Sequence, residues 1–312
     1  MAVVTGGGTG MGAELAVQLA SQGCSVATCD VNSETLAETG KRAANEAPPG
    51  TRVTTHVCDV SDGAQVDRFR DEVLAQHEVE HINLLFNNAG IGGGGSFLTG
   101  KRDEWDRVFG IDWGGVYNCS RAFVPLLVAS DDGYLINTSS VNGFWASLGA
   151  GNPHTAYSAA KFAVKGFSEA LIEDFRVNAP HVKVAVVMPG HIGTDIVVNS
   201  RKVLGGAEPE DMSADDLAQA RTEMGKRGMP TASMSDDDIR GMMRMVGEGF
   251  KSMAPVSAAQ AATIILDAVK AGKWRILVGD DAHRLDEVVR SNPEGIYDEG
   301  GMDLLSVMRP DA

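Results

Sequence analysis

Cysteine is scarce: four in 312 residues (Cys24, Cys29, Cys58, Cys119), with no C-x-x-C pair among them. Such thiols fit a reducing compartment and do not organise the fold through disulfides. Cations are short as well. Against 42 Asp and Glu stand 27 Lys and Arg, a net charge of −15, which argues against a nucleic-acid backbone or an anionic membrane as the main partner. No apolar run approaches the roughly 20 residues that span a bilayer. The first twenty residues lack Lys and Arg and are broken by five glycines, so no signal peptide is visible and a cytoplasmic protein is expected. With 43% apolar residues, the chain has enough material for a sizeable core.

Short apolar runs alternate with segments of helical periodicity. Met1–Thr5, Ser25–Asp30, Val53–Val57, Ile82–Phe86, Tyr134–Thr138, Val182–Val187 and Arg275–Val278 read as strands. Seven strands separated by helix-length segments imply an α/β fold: a doubly wound, seven-stranded parallel sheet with helices on both faces. Residues 196–255 lack strand character and are rich in charge, Met and Gly, which suggests a partly helical excursion. The tail after Gly279 is polar, and no period of 20–50 residues recurs. One domain over 1–312, with a lid at about 196–255 and an extension at 279–312, is the economical expectation.

The first run leads into Thr5-Gly6-Gly7-Gly8-Thr9-Gly10-Met11-Gly12, followed by a helical pattern with Leu15 and Leu19 four apart. Glycines at such a turn let the backbone approach a pyrophosphate, and the free N–H groups of the helix start bind its charge. Gly6, Thr9, Gly10, Met11 and Gly12 are therefore candidate coenzyme ligands. The second run ends at Asp30, eighteen residues after Gly12, where a carboxylate accepts from both hydroxyls of an adenine ribose and repels a ribose phosphate. Neither Val31 nor Asn32 offers a cation. NAD is favoured over NADP. The competing role for Asp30 is a helix cap before Asn32-Ser33-Glu34.

Tyr157-Ser158-Ala159-Ala160-Lys161 sets a phenol and an ammonium one helical turn apart, and the cation is expected to lower the phenol pKa. Seventeen residues upstream, Ser140 follows the end of a strand, at the sheet edge where such folds hold ligands.

These residues resemble the short-chain dehydrogenase/reductase family over roughly 1–195 and the last helix and strand. The motifs are Thr5-Gly6-x-x-x-Gly10-x-Gly12, Asp59-Val60, Asn87-Asn88-Ala89-Gly90, Ser139-Ser140-Val141-x-Gly143, Tyr157-x-x-x-Lys161 and Pro189-Gly190-x-Ile192-x-Thr194. The resemblance implies that Asp59 and Val60 flank the adenine. Asn88, Ala89 and Gly90 would line the coenzyme, while Pro189, Gly190, Ile192 and Thr194 would meet its nicotinamide end. It further implies that Tyr157 is acid and base for a secondary alcohol and its ketone, that Lys161 binds the nicotinamide ribose and acidifies Tyr157, and that Ser140 hydrogen-bonds the substrate oxygen. Ser139 competes with Ser140, which the family pattern favours because it directly precedes Val141-Asn142-Gly143.

The chain departs from the pattern at one place. The family usually carries an Asn in the helix before the fifth strand, closing a proton relay through Lys161, and here the aligned position is Asp112. An ionised Asp accepts hydrogen bonds but donates none, and its charge would weaken the pull of Lys161 on Tyr157. Asp112 is expected to take the Asn role, with a plain salt-bridged helix residue as the competing assignment.

His77-Glu78-Val79-Glu80-His81 matches the H-E-x-x-H zinc spacing, but His81 abuts a strand, so no single helix presents both imidazoles, and no metal is expected. Eight of the thirteen methionines lie between Met212 and Met253, in the segment the family uses as a lid. Thioethers suit an adaptable apolar pocket or an ordinary amphipathic helix core. Asn142, Phe144, Trp145, His154 and His191 are candidates for the substrate wall. The composition points to a bulky, mostly apolar substrate, such as a cyclic, aromatic or steroid-like alcohol or ketone. Two other functions compete: a 3-oxoacyl-thioester reductase, disfavoured by Asp30 and the acidic balance, and a catalytically silent NAD-binding regulatory protein. The resemblance implies a homodimer or homotetramer packed through helices around 105–129 and 157–178.

Overall fold

In a computed structural model, which describes residues 1–149, 152–226 and 229–298, seven parallel strands form one sheet. They are β1 (Ala2–Thr5), β2 (Val26–Asp30), β3 (Val53–Val57), β4 (Leu84–Asn87), β5 (Gly133–Thr138), β6 (Val182–Pro189) and the last strand, Arg275–Val278. A two-residue ladder, β7 (Ile192–Gly193) with β8 (Val256–Ser257), stands apart from it, which makes the last strand β9. The order is β3-β2-β1-β4-β5-β6-β9. The chain reverses direction across the sheet between β1 and β4, so the carboxyl ends of these two strands part and leave a crevice.

Strand residues alternate between the two faces. Val3, Leu85, Leu135 and Val184 enter one apolar cluster, whereas Ala2, Val4, Phe86, Ile136, Ala185 and Val187 enter the other. This period of two lets the inner strands be largely apolar while feeding two cores. On the first face lie α3 (Gly63–His77), α5 (Gly115–Val128) and α6 (Thr155–Asn178), with Phe69 edge-on to Phe123 at 5.3 Å. On the second lie α1 (Gly10–Ser21) and α10 (Ala258–Lys270), with α2 (Ser33–Glu46) beside α1. A polar ladder crosses the first face. Asn87 Nδ2 donates to Asn137 Oδ1 (2.8 Å) and Asn137 Nδ2 donates to Ser168 Oγ (3.0 Å), which fixes β4, β5 and α6 in register below the site.

Two helices meet without a break in the connection after β4. The chain runs from α4 (Arg102–Phe109) through one π-helical turn, Gly110–Gly114, into α5. Such wide turns alter which residues share a face. The excursion after β7 is helical: α7 (Ile196–Val203), α8 (Ala214–Lys226) and α9 (Asp236–Ser252). The extension beyond β9 begins as α11 (Asp280–Ser291), and its last part, 299–312, lies outside the described residues. No helix among the described residues is long and apolar enough to cross a membrane.

Candidate active site

The glycine turn occupies the crevice. Gly6 has φ +68°, and a Cβ there would lie 2.7 Å from Ala89 Cα, so only glycine lets the turn lie against the end of β4. Thr9 precedes α1 and makes no side-chain cap to it, leaving the N–H groups of the first turn to an anion. The cleft is lined by Gly6, Thr9, Gly10 and Met11 from the turn, Asp30 at the end of β2 with Val31 just after it, Asp59 and Val60, Asn88, Ala89 and Gly90, and Thr194. Gly12 instead sits beneath it, where a Cβ would meet the Gly6 carbonyl oxygen at 2.1 Å. Pro189 ends β6, Gly190 covers the Asp281 carboxylate, and Ile192 is buried in the second core.

Asp30 does not cap α2. That task falls to Asn32, whose Oδ1 accepts from the N–H groups of Glu34 and Thr35 (3.1 and 3.2 Å). Asp30 Oδ2 accepts from Gly8 N (2.9 Å) and Oδ1 from Asn32 N (3.0 Å), so each oxygen keeps a lone pair for a ribose hydroxyl. The residues present thus fit a dinucleotide whose ribose is unphosphorylated. Sequence reasoning missed several cleft residues. Arg107 and Ile111 come from α4 and the π turn, four positions apart on one face; Asn199, Lys202 and Val203 come from α7. Asn199 Nδ2 donates to Thr9 Oγ1 (2.9 Å), and Ser200 Oγ accepts from Gly92 N (2.7 Å). α7 is therefore clasped to the glycine turn, and its residues line the coenzyme cleft. Both cations that line the cleft are paired, Arg107 with Asp59 and Lys202 with Glu208.

Gly90 joins the cleft to Asp112 and Lys161. A Cβ there would lie 2.9 Å from Asp112 Oδ1 and 3.2 Å from Lys161 Nζ. Lys161, 3% exposed, donates from Nζ to Thr138 O (3.2 Å), and its Nζ stands 3.9 Å from Asp112 Oδ2 and 5.4 Å from the centre of the Tyr157 ring. Asp112 is fully buried. Its Oδ1 accepts from Ile91 N (2.8 Å) and its Oδ2 has no hydrogen-bond partner. Burial pushes its carboxyl up to about 6 against the opposing pull of Lys161 and the Ile91 N–H, a shift that the sequence reading of an ionised Asp did not include. A second expectation is reversed at Tyr157. Burial raises the phenol pKa and outweighs Lys161; Asp112 raises it further, and a hydrogen bond with Ser140 lowers it. Desolvation of a phenolate wins over one cation when a carboxylate shares that cation.

Ser139 is committed to structure, its Oγ donating to Lys161 O (2.7 Å). Ser140 is the serine that reaches Tyr157. The residues expected on the substrate wall do not stay together. His154 lies against the Tyr157 ring (4.6 Å between centres), and burial lowers its pKa to about 4, so it is a neutral ring there. Asn142 staples its own loop, donating to the carbonyls of Trp145 (2.9 Å) and Ser147 (2.7 Å). Trp145, 3% exposed, turns away into a cluster with Leu285, Val289 and Ile296, and Phe144 packs on the same cluster. The extension supplies an apolar face that the sequence alone did not place. His191 is tied to α9, its Nε2 donating to Phe250 O (2.6 Å). Among the described residues no group of three His, Cys, Asp or Glu is placed to hold a metal. His77 Nε2 bonds Thr54 Oγ1 (2.8 Å) at the end of α3, and His81 lies exposed beyond it.

Substitution at Gly90 tests how tightly these groups are set. Gly90→Ala is expected to lower stability by about 2 kcal/mol, the usual cost of overpacking, and to depress turnover; urea unfolding and an activity assay check both.

Comparisons with known proteins agree with this architecture. Residues 1–204 match the family model described as short chain dehydrogenase. Levodione reductase of Leifsonia aquatica is 36% identical over 223 residues, 70% of this chain and 78% of that one. The crystal structure of a short-chain dehydrogenase/reductase from Burkholderia phymatum in complex with NAD aligns with a TM-score of 0.73 at 27% identity, covering 94% of this chain and 93% of that one. A metagenomic short-chain oxidoreductase in complex with NADP aligns with a TM-score of 0.54 at 26% identity, covering 89% and 95%. With the glycine turn, the switch-point cleft and the Ser-Tyr-Lys group in place, the chain belongs to the short-chain dehydrogenase family of oxidoreductases.

Proposed function

We propose that the protein is an NAD-dependent oxidoreductase that interconverts a secondary alcohol and a ketone. The observation that carries this is Lys161, buried between Thr138 O and Asp112 beside the Tyr157 ring, where Gly90 opens the cleft onto it. Bound NAD, held by the glycine turn and Asp30, would supply the hydride acceptor for oxidation and, in its reduced form, the hydride donor for reduction. Ser140 donates to the substrate oxygen as charge develops on it. Tyr157 gives that oxygen a proton in reduction and removes one in oxidation. The chain's own groups keep the phenol protonated at neutral pH, so the acid role needs no adjustment, while oxidation rises toward alkaline pH. The N–H groups of the first turn of α1 would hold the pyrophosphate, and α7 would exclude water from it.

Coenzyme choice rests on Asp30, since relatives of similar fold carry NAD in one case and NADP in another. Asp30→Ala is expected to weaken NAD binding about tenfold or more, the scale of a charge-assisted hydrogen bond, and to narrow the preference over NADP. Titration with both coenzymes measures it. A neutral His154 ring beside Tyr157 and the apolar Ile196 and Val203 of α7 favour a bulky, uncharged substrate of cyclic, aromatic or steroid-like form. Tyr117 and Val128 on α5 with Phe162 and Val177 on α6 are exposed, in keeping with a homodimer or homotetramer built through these helices. Formation of NADH with secondary alcohols of increasing size tests the activity. Tight NAD binding without turnover of any of them would overturn it in favour of a silent regulatory protein.

A further inference from the structure

The extension after β9 reaches the loop that begins at Ser140. Leu285 and Val289, one turn apart on α11, join Ile296 from the turn that follows it in a third apolar cluster, separate from the two cores of the sheet, and the side chain they enclose is Trp145. Trp145 stands one helical turn beyond Val141, its N–H donating to Val141 O (3.0 Å). Beside it Ala146 N donates to Tyr297 Oη (3.0 Å), so the extension holds the loop by a polar contact as well. The place of α11 is set by other contacts. Its Asp286 accepts from Arg275 Nη1 of β9 (3.0 Å), and its Asp281 accepts from His191 N (2.6 Å). The socket under α11 is thus anchored on the sheet, and the loop is what fits into it. That fit leaves one group unserved: Trp145 Nε1 is buried and has no hydrogen-bond partner among the described residues. An orphaned N–H offsets part of what burial of the ring contributes, and it would find a partner in water or beside a substrate oxygen. The indole stays in the socket because the extension holds it there.

We infer that the extension is a specificity element that acts through Trp145: by sequestering the indole under α11 it keeps the space beside Ser140 open to a bulky alcohol, and an indole expelled from the socket narrows that space. The inference rests on the proposed alcohol and ketone chemistry and adds to it a determinant of substrate size. Asn142 holds the carbonyls of Trp145 and Ser147 (2.9 and 2.7 Å), so the loop backbone keeps its course while the side chain changes rotamer from the socket to the opposite side. Bulk placed there excludes large substrates and spares small ones. Leu285 and Val289 touch no reacting group in this scheme; they set the site by where they keep Trp145.

The test fills the socket and then removes the indole. On the full-length protein with NAD, kcat/KM is measured for 1-phenylethanol and for 2-propanol, and the ratio of the two is compared between variants. Leu285→Phe, which occupies the socket, should lower that ratio by about tenfold or more; Val289→Phe serves if Leu285→Phe does not fold. Trp145→Ala alone, and Trp145→Ala added to Leu285→Phe, should both give a ratio within about twofold of the unaltered protein. That rescue separates a displaced indole from a loosened fold, which loss of a further side chain would not repair. An unchanged ratio in the folded socket-filling variant overturns the inference, as does a lowered ratio that Trp145→Ala fails to restore. Acrylamide quenching of the Trp145 fluorescence, taken as the difference from Trp145→Ala, reads the same displacement without turnover: the indole should be shielded in the unaltered protein and accessible in Leu285→Phe. Shielding in both overturns the inference, whereas accessibility without turnover of any alcohol strikes the proposed chemistry alone.

Discussion

Turnover of the Tyr157→Phe variant is expected to fall by about 10³-fold, within the range contributed by a positioned general acid or base, in both directions of the reaction. The ring keeps its place against His154 and beside Lys161, since both contacts are made by the aromatic face. NAD binding, followed by titration, should therefore change by no more than about threefold. That split between catalysis and binding separates loss of a proton donor from loss of a fold. Ser140→Ala is the companion measurement. Its hydroxyl both accepts from Asn142 N (3.1 Å) and bonds the phenol, so its loss should weaken catalysis less than loss of the phenol does. Retention of near-normal rates by Tyr157→Phe would dismiss Tyr157 as acid and base, and with it the proposed chemistry.

The sheet was legible because its inner strands feed two cores and are therefore largely apolar, while the edge strand β3 is marked by its β-branched residues. The run Tyr134–Thr138 differs from the observed β5 by one residue, and Val53–Val57 and Arg275–Val278 coincide with β3 and β9. The fourth run begins two residues before β4 and ends one short of it: Ile82 is fully buried like a strand residue, yet its N–H bonds Leu126 O, and pairing with β5 begins only at Leu84. Apolar character alone does not distinguish a buried approach from a paired strand. The glycine turn and the Tyr-Lys pair could be read because their residues are close in sequence. Residues that act across the fold were not. Arg107 reaches Asp59 over 48 positions and Asn199 reaches Thr9 over 190, and no local pattern marks either. Trp145 is a candidate for the substrate wall in the sequence, and the structure places it elsewhere. Leu285 and Val289, which bury it instead, lie on α11, in a segment whose overall polarity hid one apolar face.

Asp112→Asn should retain turnover and move the pH dependence of both stability and rate. In the folded protein the carboxyl titrates near 6 instead of its ordinary 3.8, so between about pH 4 and 6 the native state holds a proton that the unfolded chain has released. Stability of the unaltered protein therefore falls as pH rises through that window. The variant has no such group, and other titrations cancel in the comparison. At about 1.4 kcal/mol per pKa unit, the stability of the variant relative to the unaltered protein should rise by about 3 kcal/mol from pH 4 to pH 7, as read by urea unfolding at each pH. The kinetic sign follows from the same charge. Above pH 6 the ionised Asp112 raises the Tyr157 pKa and shares the ammonium of Lys161. An amide in its place withdraws that charge, and the alkaline limb of alcohol oxidation should move to lower pH by about one unit. A limb that stays in place while the stability difference appears would leave Asp112 a buried structural ion pair with no part in setting the phenol. A limb that moves makes the substitution of Asp for Asn a tuning of this enzyme toward ketone reduction near neutral pH, because the protonated phenol is the form that reduction requires.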